Sequence, residues 1–194
     1  MSVLKIIKYN DKILRVPTKE VQKFSAKIHK LIDDMFDTMY ANNGVGLAAT
    51  QVGESYKIFV LDTSTGDEPL NPRVFVNPKI IKKSGAMVSY EGCLSFPDFY
   101  INVRRYTDVA VKAKNRNGRS FVLEAKGGIL LAKALQHESD HLNGILFIDH
   151  SINRFLADEE LARNNLPPID PEYLLEEPEL DSQIQEQSDI HHLS

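Results

Sequence analysis

Between Gly128 and Asn143 the chain runs without a glycine or a proline, and the middle of that stretch reads His137-Glu138-Ser139-Asp140-His141. Leu131, Ala134, Leu135 and Leu142 fall there at helical spacing, so a helix is expected over Ile129 to Leu142. Residues four apart on a helix share a face at roughly 6 Å, which lets both imidazoles reach one ion while Glu138 stands beside them without being a ligand. A carboxylate so placed can take and return a proton. The plainer alternative is a solvated helix face on which Glu and Asp pair with His, and the motif alone leaves both open.

A catalytic divalent ion usually takes three protein ligands and keeps a further position free, so two histidines need a partner. Cys93 is the single cysteine and cannot form an internal disulfide, which leaves a buried small hydrophobe, a reactive thiol or a metal ligand. It stands in Glu91-Gly92-Cys93-Leu94-Ser95-Phe96-Pro97, where Gly92 permits close backbone approach and Pro97 is expected to end the extended run. A third segment, Gly44-Val45-Gly46-Leu47-Ala48-Ala49-Thr50-Gln51-Val52-Gly53, offers glycines for ligand approach and, in Gln51, an amide able to donate to a developing oxyanion. It lacks the third glycine of GxGxxG and no strand clearly precedes it, which argues against a dinucleotide site. Alone it reads equally well as a tight turn of small residues.

From Val21 to Tyr40 the apolar residues again recur at helical spacing, and Asn42-Asn43-Gly44 marks the end of that helix. Short β-rich runs follow at Lys57–Leu61, Arg73–Val76, Lys79–Lys82, Met87–Tyr90, Asp108–Lys114 and Arg119–Glu124, with turns at Asn71-Pro72, Asn77-Pro78 and Asn115–Gly118. Ile145–Ile148 reads as one more strand and Asn153–Arg163 as a helix. An α+β fold is expected, with antiparallel or mixed sheets packed around the HExxH-bearing helix, an N-terminal helix and a helical C-terminal tail. Residues 1–165 make one domain, and residues 166–194 a polar tail with little to bury.

All eight acidic residues from Asp170 to Asp189 lie beyond Arg163, the last basic one, so an overall charge of −4 conceals a body of +4 over residues 1–165. No dense basic stripe accompanies it, so direct nucleic-acid recognition is not expected. No apolar run approaches the eighteen residues of a membrane helix and no secretory signal opens the chain, which favours the cytoplasm.

GVGLAATQ, EGCLS and QHESDH resemble, in this order, the three motifs of bacterial peptide deformylases. The resemblance runs from about Lys5 to Phe155 and takes in Ile13-Leu14-Arg15, Leu142-Asn143-Gly144 and Leu146-Phe147. It implies a hydrolase that removes the formyl group from the formylmethionine of new polypeptides and releases formate. It implies that Cys93, His137 and His141 hold one divalent ion, Fe(II) in vivo with Zn or Ni also accepted. It makes Glu138 the general base and then acid, with Gln51 and the backbone N–H of Leu94 as oxyanion donors. Gly44, Val45, Gly46, Glu91 and Gly92 become substrate contacts, and Gly44, Leu94 and Leu130 line a methionine pocket. The ribosome enters as a partner, although family members that dock there end in a basic helix and 152–164 holds only Arg154 and Arg163 before running into acid.

Three rivals remain. An HExxH zinc peptidase would take a third His or Glu after the helix, where the nearest histidine is His150. A non-catalytic protein would keep the fold to bind chain ends, and a cysteine–histidine hydrolase would resist chelators.

Overall fold

Two helices owe their positions to amphipathic patterns that meet opposite faces of one sheet. In this computed structural model, which describes residues 2–173 apart from Thr65 and Asp67, α1 spans Ala26–Ala41 and α2 spans Leu130–His141. The sheet has the strand order β1-β2-β3-β6-β7, from β1 (Gly46–Ala48), β2 (Ile58–Leu61), β3 (Arg73–Ser84), β6 (Asp108–Lys114) and β7 (Ser120–Ala125), and every pairing is antiparallel. Because side chains alternate along a strand, Ile58, Val60 and Val76 pack against Leu31, Ile32, Met35 and Met39 of α1. Phe59, Phe75, Val109 and Val111 take the other face, against Ala132 and Leu135 of α2 and Leu142 at its C-terminal end.

A separate two-stranded hairpin, β4 (Met87–Cys93) and β5 (Phe96–Arg105), closes the far side of α2. Its inner residues Phe96, Phe99, Ile101 and Val103 join Leu14, Phe147 and Ile148 in a second apolar cluster. That cluster also takes Ala157 and Leu161 of α3 (Arg154–Arg163). The helix α2 thus has an apolar side on the large sheet and a polar side turned to the hairpin.

The α+β architecture, the strands near 57–61, 108–114 and 119–124, and helices over 129–142 and 153–163 agree with the sequence reading. Other expectations are corrected. The first helix begins at Ala26, not Val21, because the Asn77 side chain brackets the Val21 backbone, accepting from its N–H at 2.8 Å and donating to its carbonyl at 3.0 Å. Ser25 then caps the helix by accepting from the Ile28 N–H. Asn77-Pro78 is no turn: 73–84 is one strand with its register shifted between Val76 and Lys79, Asn77 adopting φ 51°. Pro97 does not end the extended run but is the second residue of β5, in a sheet of two strands where a missing N–H is tolerated.

The strand expected at 145–148 is a 3₁₀ turn over Phe147–His150. Asp149 folds back to accept from the Leu146 N–H at 2.8 Å while pairing with Arg15. Packing continues past Leu166: Ile169 is buried in the second cluster and the Arg15 guanidinium lies 4.0 Å from the Tyr173 ring centre. The rest of the acidic tail, including His191-His192, lies outside the described residues.

Candidate metal centre and cleft

The polar side of α2 brings His137, Glu138 and His141 to the end of β4, where the chain turns through Leu94 and Ser95 into β5. The Cys93 Sγ lies 3.3 Å from His141 Nε2, and one ligand atom from each of Cys93, His137 and His141 fits within 4.8 Å of the others. The two imidazole rings stand 5.1 Å apart, centre to centre. Tetrahedral bonds of about 2.0–2.3 Å put ligand atoms on the order of 3.5 Å from each other, so this donor set closes around one ion with little movement. One sulfur and two imidazole nitrogens suit iron, zinc or nickel rather than magnesium or calcium.

Around these three side chains the polar groups are tied in pairs. Both oxygens of Glu91 accept from Arg105 at 2.9 Å, and Glu91 Oε2 also accepts from His137 Nδ1 at 3.0 Å. With Nδ1 so engaged, Nε2 of His137 is the nitrogen left for an ion. Arg105, 2% exposed, donates as well to Asp140 at 2.6 Å, and Asp140 meets His150 Nε2 at 3.0 Å. Burial alone would raise the Glu91 carboxyl, but Arg105 and His137 outweigh it and hold it well below the usual range. Burial and neighbouring His137 keep His141 neutral, far below the ordinary imidazole value.

Glu138 is 5% exposed and its Oε2 has no partner among the described residues; the same holds for His141 Nδ1. Burial pushes the Glu138 carboxyl up to about 7, with Glu91 and Asp140 adding to the rise against the pull of His137. Its other oxygen fills space that a side chain would need at position 46: a Cβ on Gly46 would sit 2.4 Å from Glu138 Oε1. Gly46 is therefore glycine because the carboxylate lies against its backbone.

Gln51 sits in a 3₁₀ turn, Ala49–Val52, that follows β1. Its Oε1 accepts from the Ala48 N–H at 2.8 Å, which fixes the amide orientation. Nε2 then meets Cys93 Sγ at 3.4 Å and Ser95 Oγ at 3.3 Å. Two short backbone bonds hold the turns in register: the Ile7 N–H donates to Gln51 O at 2.8 Å and the Tyr9 N–H to Ser95 O at 2.9 Å. Lys8 Nζ adds a bond to Leu94 O at 2.9 Å.

These groups open onto a cleft of about 490 Å³ whose walls include Gly44, Val45, Gly46, Gln51, Gly92, Cys93, Leu94, Leu130, His137 and Glu138. His141 is fully buried behind Cys93. Three segments distant in sequence therefore converge on one place. Glu91, expected among the substrate contacts, lines the cleft, and its carboxylate oxygens accept from Arg105 and His137. Arg105 went unread because a lone cation in a strand pattern announces nothing. Asp140 lay in plain view within the HESDH motif.

Residues 3–155 match the family model described as polypeptide deformylase. The chain is similar to the peptide deformylase of Brucella suis biovar 1, with 47% identity over 77% of this chain and 85% of that one. It is similar at the same identity to the peptide deformylase of Mesorhizobium japonicum, over 86% and 97%. Among solved structures, a peptide deformylase from Legionella pneumophila superposes with a TM-score of 0.76 at 42% identity, covering 84% of this chain and 96% of that one. One from Synechococcus elongatus in complex with actinonin gives 0.78 at 38% identity, over 89% and 90%.

Proposed function

This chain belongs to the polypeptide deformylase family and is a hydrolase that removes N-terminal formyl groups; from that premise we propose how its residues divide the work. Cys93, His137 and His141 hold one divalent ion, Fe(II) in the cell, with zinc or nickel able to take its place. When bound, such an ion supplies Lewis acidity, which polarises a carbonyl and makes water a nucleophile at neutral pH. The convergence of these three donors beside the unpartnered Glu138 oxygen is the observation that carries the reading.

Glu138 takes the proton from water as it attacks the formyl carbon, then returns one to the departing amine nitrogen. Gln51 Nε2 and the Leu94 N–H donate to the oxygen as it gains charge. Gln51 suits this because Ala48 has already fixed which end of its amide faces the site, so no reorganisation is needed during reaction. The substrate runs as an added strand along the backbones of Val45 and Gly92, and Gly46 helps shape the site. Its methionine side chain enters the apolar pocket between Gly44, Leu94 and Leu130. A formyl carbon carries only hydrogen where other acyl groups carry a side chain, so a narrow site admits it and excludes acetyl.

The zinc-peptidase alternative loses its third ligand, since His150 is engaged with Asp140. New formylated polypeptides place the work in the cytoplasm beside the ribosome. Docking through α3 has only Arg154 and Arg163 to offer.

The test is Glu138→Gln. Metal content of protein purified without oxygen should equal wild type, while release of formate from a formyl-Met peptide falls by a factor of about 10²–10⁴. Undiminished formate release would remove Glu138 from the mechanism.

A further inference from the structure

The β4–β5 hairpin buries one face and turns the other to the cleft. Ser89 and Glu91 pair across the ladder with Val103 and Ile101, and all four are buried. Alternation therefore puts Tyr90 and Gly92, with Asn102 and Tyr100 opposite them, on the outer face. Tyr90 and Tyr100 are diagonal neighbours on that face, and their rings stack 5.7 Å apart with 24° between planes.

Even stacked on each other, Tyr90 remains 69% exposed and Tyr100 54%. Both line the cleft. A Cβ built on Gly92 would lie 2.4 Å from Tyr100 Cε1, so the Tyr100 ring rests directly on the Gly92 backbone. The aromatic surface is thus continuous with the strand edge along which the substrate is taken to run. An extended peptide there presents every second side chain to the hairpin's outer face. Lys8, Asp98 and Lys133, which also line the cleft, are of both signs.

We propose that the Tyr90–Tyr100 pair forms a subsite for a large apolar or aromatic side chain among the first residues after methionine. The inference rests on the deformylase reading of this cleft and adds a sequence preference to it. Contact with an aromatic ring is expected to favour such substrates about three- to tenfold in kcat/KM, chiefly through KM.

The metal-loaded protein is assayed with formyl-Met-Ala-Ala, formyl-Met-Phe-Ala and formyl-Met-Ala-Phe amides. Wild type should prefer at least one Phe peptide by that factor. The ratio to the Ala-Ala peptide should fall toward one in Tyr90→Ala and Tyr100→Ala and persist in Tyr90→Phe and Tyr100→Phe, which keep the rings. A wild-type ratio of one overturns the subsite while leaving deformylation intact. So does a ratio that survives both Ala substitutions, including the case where these slow all three peptides equally. Failure to turn over any formyl peptide overturns the deformylase reading itself, and the subsite with it.

Discussion

The inner and outer ends of the cleft are built on opposite principles. At the inner end, Glu91, Arg105, Asp140 and His150 form a largely buried chain of charge-assisted bonds that terminates on the His137 imidazole. At the outer end, Tyr90 and Tyr100 stand open to solvent. Groups that must handle charge are fixed before substrate arrives, which lets them act without reorganising. Groups that meet the variable part of a polypeptide gain from remaining open, because contact through ring faces tolerates many sequences. The difference locates chemical precision in one region and breadth of recognition in the other.

The largest test of this contrast removes the hub of the inner chain. Arg105→Met leaves the Glu91 and Asp140 carboxylates buried without their cation, a defect that typically costs about 3–5 kcal/mol. For a chain of this size the thermal midpoint should drop by roughly 6–20 °C. Tyr90→Ala, at a mostly exposed position of the outer end, should stay within about 0.5 kcal/mol of wild type. Thermal unfolding of the two variants side by side decides it: similar shifts would erase the proposed asymmetry.

A finer test leaves the shape and removes only charge. Glu91→Gln can still meet His137, but it no longer balances Arg105 or holds the imidazole as firmly. Loss of such a support typically weakens metal affinity by about 10–100-fold. Competition with a chelator, read as metal retained against chelator concentration, would show it. Unchanged retention would mean that Glu91 serves the fold and not the ligand.

The same asymmetry explains what the sequence disclosed. His137, Glu138 and His141 could be read because their spacing lies within one helix, and Cys93 and Gln51 because each stands in a compact motif. Arg105 could not, since its partners lie 14 and 35 residues away and only the folded hairpin brings them to it. Strand β5 was missed because Pro97 ordinarily interrupts pairing, a rule that lapses in a sheet of two strands. Asn77-Pro78 looked like a turn because local chemistry permits one; the side-chain bonds from Asn77 to Val21, 56 residues earlier, make it a bulge instead. Local patterns were legible wherever the answer was local. The stacking of Tyr90 on Tyr100 needed a register that no local pattern contains.

The smallest effect concerns what supports the outer end from behind. Tyr40, at the end of α1, donates to Asp62 at 2.7 Å, and the Asp62 N–H donates to Val45 O at 2.9 Å, steadying one wall of the cleft. Burial, and then the Asp62 carboxylate, push the Tyr40 phenol up to about 12 from its ordinary 10. A pKa higher in the folded state than in the unfolded chain means that the contribution is whole below pH 10. It is lost as pH rises through 12, because only the unfolded chain has given up its proton in that window. Tyr40→Phe should therefore cost about 1 kcal/mol at neutral pH. Tyr40 is 37% exposed and water screens the interaction, so the larger loss typical of buried networks is not expected. Urea unfolding of both proteins from pH 8 to pH 11.5 should show the gap steady up to pH 10 and narrowing above it. A gap that stays constant across that range would detach Tyr40 from Asp62 and leave the Val45 wall held by its backbone alone.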